Sequence, residues 1–313
     1  MVYSVTTLNL EFDLKKTLNG LLKLTRFDEY VYFVVVTTLL GVAMADGKVD
    51  WRFLVVLLAN WSSVGFAFMI NDIEDAPDDA LSSSKINRNP VSAGLITPKT
   101  AKLWTFIVGA ISAGLFALLG TWPFVFGLLS LIFGYLYSYR GVRLKTIALL
   151  DIFSHCLMLA GLQFLTGYFS FTTVLVRNWI WPFLFVVCVS IYGELYNEVR
   201  DFEGDQAAQL RHTAIVLGSR TSHILMLAIL MLGVFSGIVS FLFIDLVPMW
   251  VFIVMAILAV LFLLPQVIKI RRGHSSIEIQ NAFQKPFERA AAFALLLQFI
   301  VPWLDQLFHL GLF

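Results

Sequence analysis

Nine long apolar runs constrain the fold of this chain more than any other feature of its sequence. A bilayer has a hydrocarbon core about 30 Å thick, which a helix of about 20 apolar residues crosses. The runs are residues 30–45, 53–70, 101–119, 122–137, 147–168, 179–196, 222–244, 248–268 and 290–312. They predict an all-α polytopic membrane protein with about nine transmembrane helices.

The composition agrees with a chain that lies mostly in the bilayer. Charged residues make up 14% of it and hydrophobic residues 59%, with a mean hydropathy of +0.82, whereas soluble domains carry about 25% charged residues. The net charge of +1 gives no indication of a nucleic-acid partner. We therefore expect membrane lipids around the protein and no bound nucleic acid.

Lysine and arginine concentrate in alternate connections between the runs, which predicts the orientation. Such residues favour the cytoplasmic side of a membrane. This places the N-terminus inside and the C-terminus outside. The basic connections are residues 15–26, 71–100, 138–146, 197–221 and 269–289.

Two acidic motifs follow the second and the sixth run, both on the predicted cytoplasmic side. Each reads N-x-x-x-D-x-x-x-D, and residues four apart share one face of a helix. Crowded carboxylates repel unless a cation lies between them, and Mg²⁺ prefers oxygen ligands and often binds substrate phosphates as well. The sequence thus predicts Mg²⁺ bound at both motifs, with a diphosphate bridging them. The candidate ligands are Asn71, Asp72, Asp75, Asp79, Asn197, Asp201 and Asp205.

Pro77 interrupts the first motif. Proline removes a helical hydrogen bond and clashes with the preceding turn, so we expect the helix to kink or end near Ala76. This leaves open whether Asp78 or Asp79 faces the metal.

The positions of the two motifs suggest an internal repeat. Four spans separate them, so the single domain of residues 1–313 divides into halves at about 28–140 and 146–271, with a last helix at 287–312. We expect two four-helix units plus one helix around a central cavity, with the motifs facing each other across it.

Basic residues near the motifs are candidates for binding the diphosphate, because lysine and arginine donate hydrogen bonds to phosphate oxygens. The orientation rule alone would also place basic residues here. The candidates are Lys85, Arg88, Arg143, Lys145 and Arg211.

The residues after Asn71 resemble the first signature of the UbiA superfamily of intramembrane prenyltransferases. That resemblance rests on residues 71–79 followed by Lys85, Arg88-Asn89-Pro90 and residues 92–94. Many members have Arg-Pro where this chain has Arg88-Asn89-Pro90.

Two later segments are also similar to that superfamily. Asp201-x-x-x-Asp205, followed by residues 211–214 and 217–218, resembles the second signature, and residues 137–145 are similar to the basic loop after the fourth helix. Many members have Pro-Pro where this chain has Tyr139-Arg140.

The resemblance implies Mg²⁺-dependent transfer of a prenyl group from an allylic isoprenyl diphosphate, or polyprenyl diphosphate, to a lipophilic acceptor. Diphosphate would leave through a carbocation-like step, with Asp75 and Asp201 in the catalytic set. Aromatic faces can stabilise a cation, and Tyr192 and Tyr196 are the candidates, although both also suit a membrane interface.

Three other polar residues are candidates with an open alternative each. Asp151 and His155 lie four apart near the start of the fifth span, and they either contact the acceptor and take its proton or form a structural hydrogen-bonded pair. Glu194 is an extra ligand or a base, or a partner for Arg200 or a neighbouring helix.

Other functions remain as alternatives. The acceptor is not evident from the sequence, although residues 143–145 with Asp151 and His155 are most similar to the carotenoid-elongating and archaeal-lipid branches. Some relatives cyclise the prenyl chain instead. A cation transporter is an alternative from another class, but transporter sites tend to lie near the membrane midplane, and a scaffold without chemistry leaves the paired carboxylates unexplained.

Overall fold

The computed structural model describes residues 16–81, 85–207, 211–270 and 276–309, and every regular element within these residues is a helix. Nine helices in this part of the chain are long and apolar enough to cross a membrane, which confirms the predicted fold class. They are α1 Phe27–Met44, α2 Trp51–Asp79, α3 Pro98–Leu119, α4 Thr121–Ser138, α5 Leu150–Phe169, α6 Ile180–Arg200, α7 Ser219–Phe243, α8 Met249–Ile270 and α9 Ser276–Phe308. The division into two four-helix units and the orientation in the membrane stay predictions.

Helix α2 does not end at Ala76, one of the two outcomes expected from Pro77, and instead continues to Asp79. The loop that follows supplies donors to two carbonyls in the last two turns of the helix. The Asn89 amide donates to the carbonyl of Asp72 at 2.7 Å, and the Ser92 hydroxyl donates to the carbonyl of Ala76 at 2.8 Å. These bonds tie the loop to the acidic motif, although neither reaches the carbonyl of Ile73, which Pro77 leaves without its helical donor.

Two other helix ends lie beyond their predicted positions. Helix α6 runs to Arg200 rather than 196. Helix α9 begins at Ser276 rather than near 290, and its predicted end at 312 lies outside the described residues.

Helices α1, α2 and α5 pack closely in the interior. A Cβ atom at Gly41 would lie 2.1 Å from the carbonyl oxygen of Phe164, and one at Gly167 would lie 2.4 Å from that of Thr38. Small residues of this kind let membrane helices approach one another. The buried Asn60 of α2 adds bonds to both neighbours, because it donates to the Thr38 hydroxyl at 2.8 Å and accepts from the Thr166 hydroxyl at 2.8 Å.

A π-helical turn, Leu157–Gly161, interrupts α5 directly after the residues predicted to be functional. Turns of this type often occur at functional sites. The buried Gln163 stabilises the turn, since its amide donates to the carbonyl of Met158 at 2.8 Å and to the Ser130 hydroxyl at 3.1 Å. These contacts fix where the first part of α5 presents Asp151 and His155.

Candidate active site

The first acidic motif presents Asn71 and Asp75 on one face of α2, as the four-residue spacing predicts. The Lys145 ammonium contacts both, at 2.9 Å from the Asn71 amide oxygen and 2.5 Å from the Asp75 carboxylate. Arg143 donates to the other Asp75 oxygen at 3.1 Å. Lys145 and Arg143, which were predicted to bind the diphosphate, therefore contact the predicted metal ligands Asn71 and Asp75.

The loop between α4 and α5 brings these cations to the motif. Helix α4 ends at Ser138, and Arg143 has a φ of 52°, a left-handed conformation uncommon outside glycine. Arg140, in the same loop, donates from its backbone to the Glu74 carboxylate at 3.0 Å and pairs with Asp78 at 2.9 Å. The loop thus covers the exposed carboxylates of the motif.

The charge of Lys145 depends on its partner. Burial lowers the pKa of Lys145 below its ordinary value, and the adjacent Asp75 carboxylate opposes that shift. A phosphate group that enters this position would be an equally suitable partner for the ammonium group.

Asp72 contacts a different cation and is only 4% exposed. One of its oxygens lies 3.3 Å from the Arg26 guanidinium, which also forms a bidentate pair with Glu29 at 2.6 and 3.0 Å. The second Asp72 oxygen is buried and has no hydrogen-bond partner among the described residues. Arg26 was missed as a site residue because the basic segment before α1 was interpreted only as a signal of orientation.

The remaining predicted residues around the first motif lie apart from Lys145. Asp79 accepts from the Asn89 amide at 2.9 Å, and Arg88 pairs with Glu29 at 3.1 Å, with 60% of its side chain exposed. Lys85 and Arg211 are exposed. Diphosphate binding by these three basic residues stays a prediction.

The second acidic motif keeps its helical spacing across a break between two helices. Asp201 directly follows the last residue of α6, and Asp205 belongs to a short helix, Phe202–Ala207. Backbone bonds from Asp201 to Asn197 and from Asp205 to Asp201, both 3.0 Å, preserve the four-residue repeat. Arg200 pairs with Asp201 at 2.8 Å, and Asn197 is exposed.

Asp205 is held by a buried histidine that the sequence reasoning did not select. His212 Nε2 lies 2.9 Å from Asp205, and Nδ1 lies 3.2 Å from the buried Glu198. Burial alone would lower the pKa of His212, but the Glu198 and Asp205 carboxylates outweigh it and raise the pKa to about 9. The protonated imidazole of His212 lies between the two carboxylates and therefore links Asp205 to Glu198 of α6. The sequence signal that could have pointed to His212 was Glu198, an acidic residue directly after Asn197.

Asp151 is buried in the same network. Its carboxylate accepts from the Thr213 backbone at 2.5 Å and from the Thr213 hydroxyl at 2.6 Å. Potential ligand atoms of Asp151, Glu198 and His212 lie within 4.8 Å of one another. The Asp151 and Glu198 carboxylates are already hydrogen-bonded to the backbone of Thr213 and Ala214, so the cluster anchors the segment that follows the second motif.

His155 belongs to a second network. Its Nε2 lies 3.3 Å from Glu194, whose other oxygen accepts from the Tyr137 hydroxyl at 2.9 Å. Glu194 thus contacts the neighbouring helices α4 and α5, and contact with a neighbouring helix was one of the alternatives for this residue. A cavity of about 180 Å³ is lined by His155, Tyr137 and Asn71, so this network lies beside the first acidic motif.

A larger cavity of about 700 Å³ lies between α1, α6 and α9. Tyr192 and Tyr196 line it, with ring centroids 6.3 Å apart. The two predicted tyrosines therefore face a space that could hold a lipid-sized ligand.

Comparisons with known proteins bear on the family and the fold of this chain. A family model described as the UbiA prenyltransferase family matches residues 34–284. A curated relative, digeranylgeranylglyceryl phosphate synthase of Sulfolobus acidocaldarius, is 26% identical over 187 residues, which are 59% of this chain and 64% of the relative. The chain therefore spans just under two thirds of the length of that relative.

Solved structures share the fold at low identity. A UbiA homolog from Archaeoglobus fulgidus bound to GPP and Mg²⁺ has a TM-score of 0.67 at 20% identity, covering 90% of this chain and 99% of that one. A UbiA homolog from Aeropyrum pernix K1 has a TM-score of 0.65 at 15% identity, covering 88% and 98%.

Proposed function

The chain belongs to the UbiA prenyltransferase family, and from that membership we propose its reaction. It transfers a prenyl group from an allylic isoprenyl diphosphate to a lipophilic acceptor within the membrane and releases diphosphate. The acidic motifs face the cytoplasm in this proposal, with the N-terminus inside. The relative from Sulfolobus acidocaldarius is named for a prenylated glyceryl phosphate, and phosphorylated glycerol lipids are one acceptor class to be tested.

One observation carries the proposal: Lys145 and Arg143 lie on Asn71 and Asp75 at the end of α2. A metal-bound diphosphate requires both cationic and carboxylate side chains within one site. The cations donate hydrogen bonds to phosphate oxygens, and the carboxylates hold the metal that neutralises the rest of the charge.

The residues of the two motifs fit Mg²⁺. All the candidate ligands supply oxygen atoms, the donors that Mg²⁺ prefers, and Asp72 has a buried oxygen with no partner among the described residues. Asn71, Asp72, Asp75 and Asp79 would hold the metal on α2, and Asn197, Asp201 and Asp205 would hold it on the second motif. When bound, Mg²⁺ would supply electrostatic stabilisation of the departing diphosphate.

The chain's own residues divide the remaining tasks. Lys145 and Arg143 bind the diphosphate oxygens and stabilise the negative charge that develops as the allylic C–O bond breaks. Tyr192 and Tyr196 line the apolar cavity, where their ring faces can stabilise positive charge on the prenyl group. His155, which lies beside Glu194, accepts the proton that the acceptor loses.

A panel of allylic diphosphates tests the proposed reaction. Purified protein is incubated with Mg²⁺, allylic diphosphates of increasing chain length and a membrane lipid extract, and products are identified by mass. We expect diphosphate release and an adduct whose mass equals the acceptor plus the prenyl group minus one proton. A cyclised hydrocarbon with no adduct would show a cyclase, and no release from any donor would reject the proposal.

Replacing Arg143 with glutamine is expected to weaken donor use. The variant loses a charge-assisted bond worth about 1.5–3 kcal/mol, so kcat/KM for the donor should fall about ten- to hundredfold. Arg177→Gln, in the connection between α5 and α6, is the matched control. An unchanged kcat/KM in Arg143→Gln would remove this residue from the diphosphate site.

A further inference from the structure

The second acidic motif ends in a carboxylate that two buried residues hold in place. His212 Nε2 lies 2.9 Å from Asp205 Oδ2, and Nδ1 of the same ring lies 3.2 Å from Glu198 Oε2. Glu198 is 8% exposed and His212 is 6% exposed, whereas 28% of the Asp205 side chain is exposed. A buried pair therefore contacts a carboxylate that is open to a ligand. The proposed reaction gives no task to Glu198 or His212.

The segment that carries His212 is itself fixed to two helices. The Ala214 backbone N–H donates to Glu198 of α6 at 2.8 Å. The residue between them, Thr213, donates from its backbone and its hydroxyl to Asp151 of α5. Because both neighbours of the ring along the chain are tied down, the imidazole of His212 has a fixed position from which to hold a partner.

Asp205 needs such a partner because the helix that carries it is short. Helix α6 ends at Arg200, and Asp205 lies in the separate six-residue helix Phe202–Ala207. Helices below about 12 residues are marginal without contacts to the rest of a protein, so a side-chain contact has to fix the direction of Asp205. A carboxylate accepts at both oxygens, and the contact of His212 with Oδ2 is therefore compatible with a cation on Oδ1.

The first acidic motif has the same arrangement. Its last carboxylate, Asp79, accepts from the amide of Asn89 at 2.9 Å, and Asn89 is 2% exposed in the segment that follows α2. Asn89 is held in turn by its bond to the carbonyl of Asp72 at 2.7 Å. In both motifs, a buried residue of the following segment thus holds the last carboxylate. Partners that orient a metal ligand in this way are typically worth about ten- to hundredfold in metal affinity.

We propose that His212, supported by Glu198, is a positioning residue that directs the Asp205 carboxylate toward the metal of the second motif. The inference rests on Mg²⁺ binding at that motif, which is part of the proposed function. It adds two residues that act through Asp205 rather than on the substrate. The competing explanation is a contact that serves packing alone, and the two explanations predict different metal affinities.

Metal binding can be measured without turnover. Mn²⁺ suits the same oxygen ligands as Mg²⁺, and free Mn²⁺ is quantified by electron paramagnetic resonance. The detergent-purified full chain is titrated with Mn²⁺ in the absence of donor and acceptor. Asp201→Asn identifies the ion at the second motif, because Asp201 belongs to that motif only. We expect the wild type to bind Mn²⁺ and Asp201→Asn to lose part of this binding.

Two substitutions at His212 each keep one polar end of the ring. The amide nitrogen of asparagine lies near the position of Nδ1, and that of glutamine reaches the position of Nε2. His212→Asn therefore loses the contact with Asp205 and should weaken the Asp201-dependent binding of Mn²⁺ about tenfold or more. His212→Gln can still donate to Asp205 and should retain most of the affinity. His223→Asn, at an exposed histidine of α7, is the matched control and should bind Mn²⁺ as the wild type does.

Glu198→Gln tests whether Glu198 acts through His212. The amide oxygen can still accept from Ala214, but the charge beside Nδ1 is lost. Residues that act in one chain of contacts have non-additive effects. We therefore expect Glu198→Gln to weaken Mn²⁺ binding in the wild-type background and to have little further effect in His212→Asn.

Diphosphate release gives a second measure of the same role. With an allylic donor, His212→Asn should need about tenfold more Mg²⁺ for half-maximal release. At saturating Mg²⁺ its rate should approach that of the wild type, because the metal restores the orientation of Asp205 once it is bound.

The outcomes separate positioning from packing and from the proposed reaction. Wild-type Mn²⁺ affinity in His212→Asn would overturn the inference, and so would equal losses in His212→Asn and His212→Gln that follow their melting temperatures. Additive effects of Glu198→Gln and His212→Asn would remove Glu198 from the chain. Unchanged Mn²⁺ binding in Asp201→Asn would remove the metal from the second motif and overturn the inference with it. A wild type that binds Mn²⁺ but releases no diphosphate from any allylic donor would instead reject the reaction and leave the positioning of Asp205 in place.

Discussion

Replacing Asp75 with asparagine is expected to reduce diphosphate release from an allylic donor at least about a hundredfold, the scale found when one electrostatic contact to developing charge is removed. Asp75 contacts Lys145 and Arg143 through its two separate oxygens. The amide keeps the volume but removes the charge that holds the metal and orients both cations.

Asp28→Asn is the matched control for this substitution. Asp28 begins α1 near the same end of the bundle, and 84% of its side chain is exposed. Release kinetics at several Mg²⁺ concentrations and a thermal melt would be measured for both variants. Asp75→Asn with a normal melt and near wild-type turnover would exclude Asp75 from the reaction, whereas equal losses in both variants would indicate a general charge effect.

The number of spans was predictable from sequence because it depends on the length of apolar runs alone. The ends of the helices were not, since they depend on partners far along the chain. The acidic end of α2, which continues past Pro77 to Asp79, is bonded to Asn89 and Ser92 of the next loop.

The start of α9 also differs from its predicted position. The last helix was expected to begin at about 287, so Glu288 stood at the boundary between that helix and the basic connection at residues 269–289. In the structure it lies inside α9 and lines the large cavity. A carboxyl group becomes informative only when its helix and its neighbours are known.

The contact between the first acidic motif and the basic loop was predictable because spacing and chain order carry it. Spacing placed Asn71 on the same face as Asp75, and both contact Lys145. Sequence spacing could not separate Asp151 from His155, although they also lie four apart. The contacts of each are made by other helices: Asp151 binds Thr213, and His155 lies beside Glu194.

This separation leads to a second large effect, on stability rather than on turnover. Asp151→Ala is expected to lower the free energy of unfolding by roughly 2–6 kcal/mol, because the two buried donors of Thr213 lose their acceptor at about 1–3 kcal/mol each. The donors are the backbone N–H and the hydroxyl of Thr213, and Asp151 is only 1% exposed. The Thr213 segment would lose its anchor to α5, and a thermal melt would detect the loss.

Asp151→Asn distinguishes this anchoring role from the proton transfer that the sequence also allowed. Its amide oxygen can still accept one hydrogen bond, so an anchoring residue predicts a melting temperature between those of the wild type and Asp151→Ala, with turnover lost in proportion. If Asp151 instead accepts the proton, the Asp151→Asn protein should have a normal melting temperature and lose turnover, because an amide cannot take the proton. The buried contacts to Thr213 favour the first result, because both carboxylate oxygens already accept from that residue.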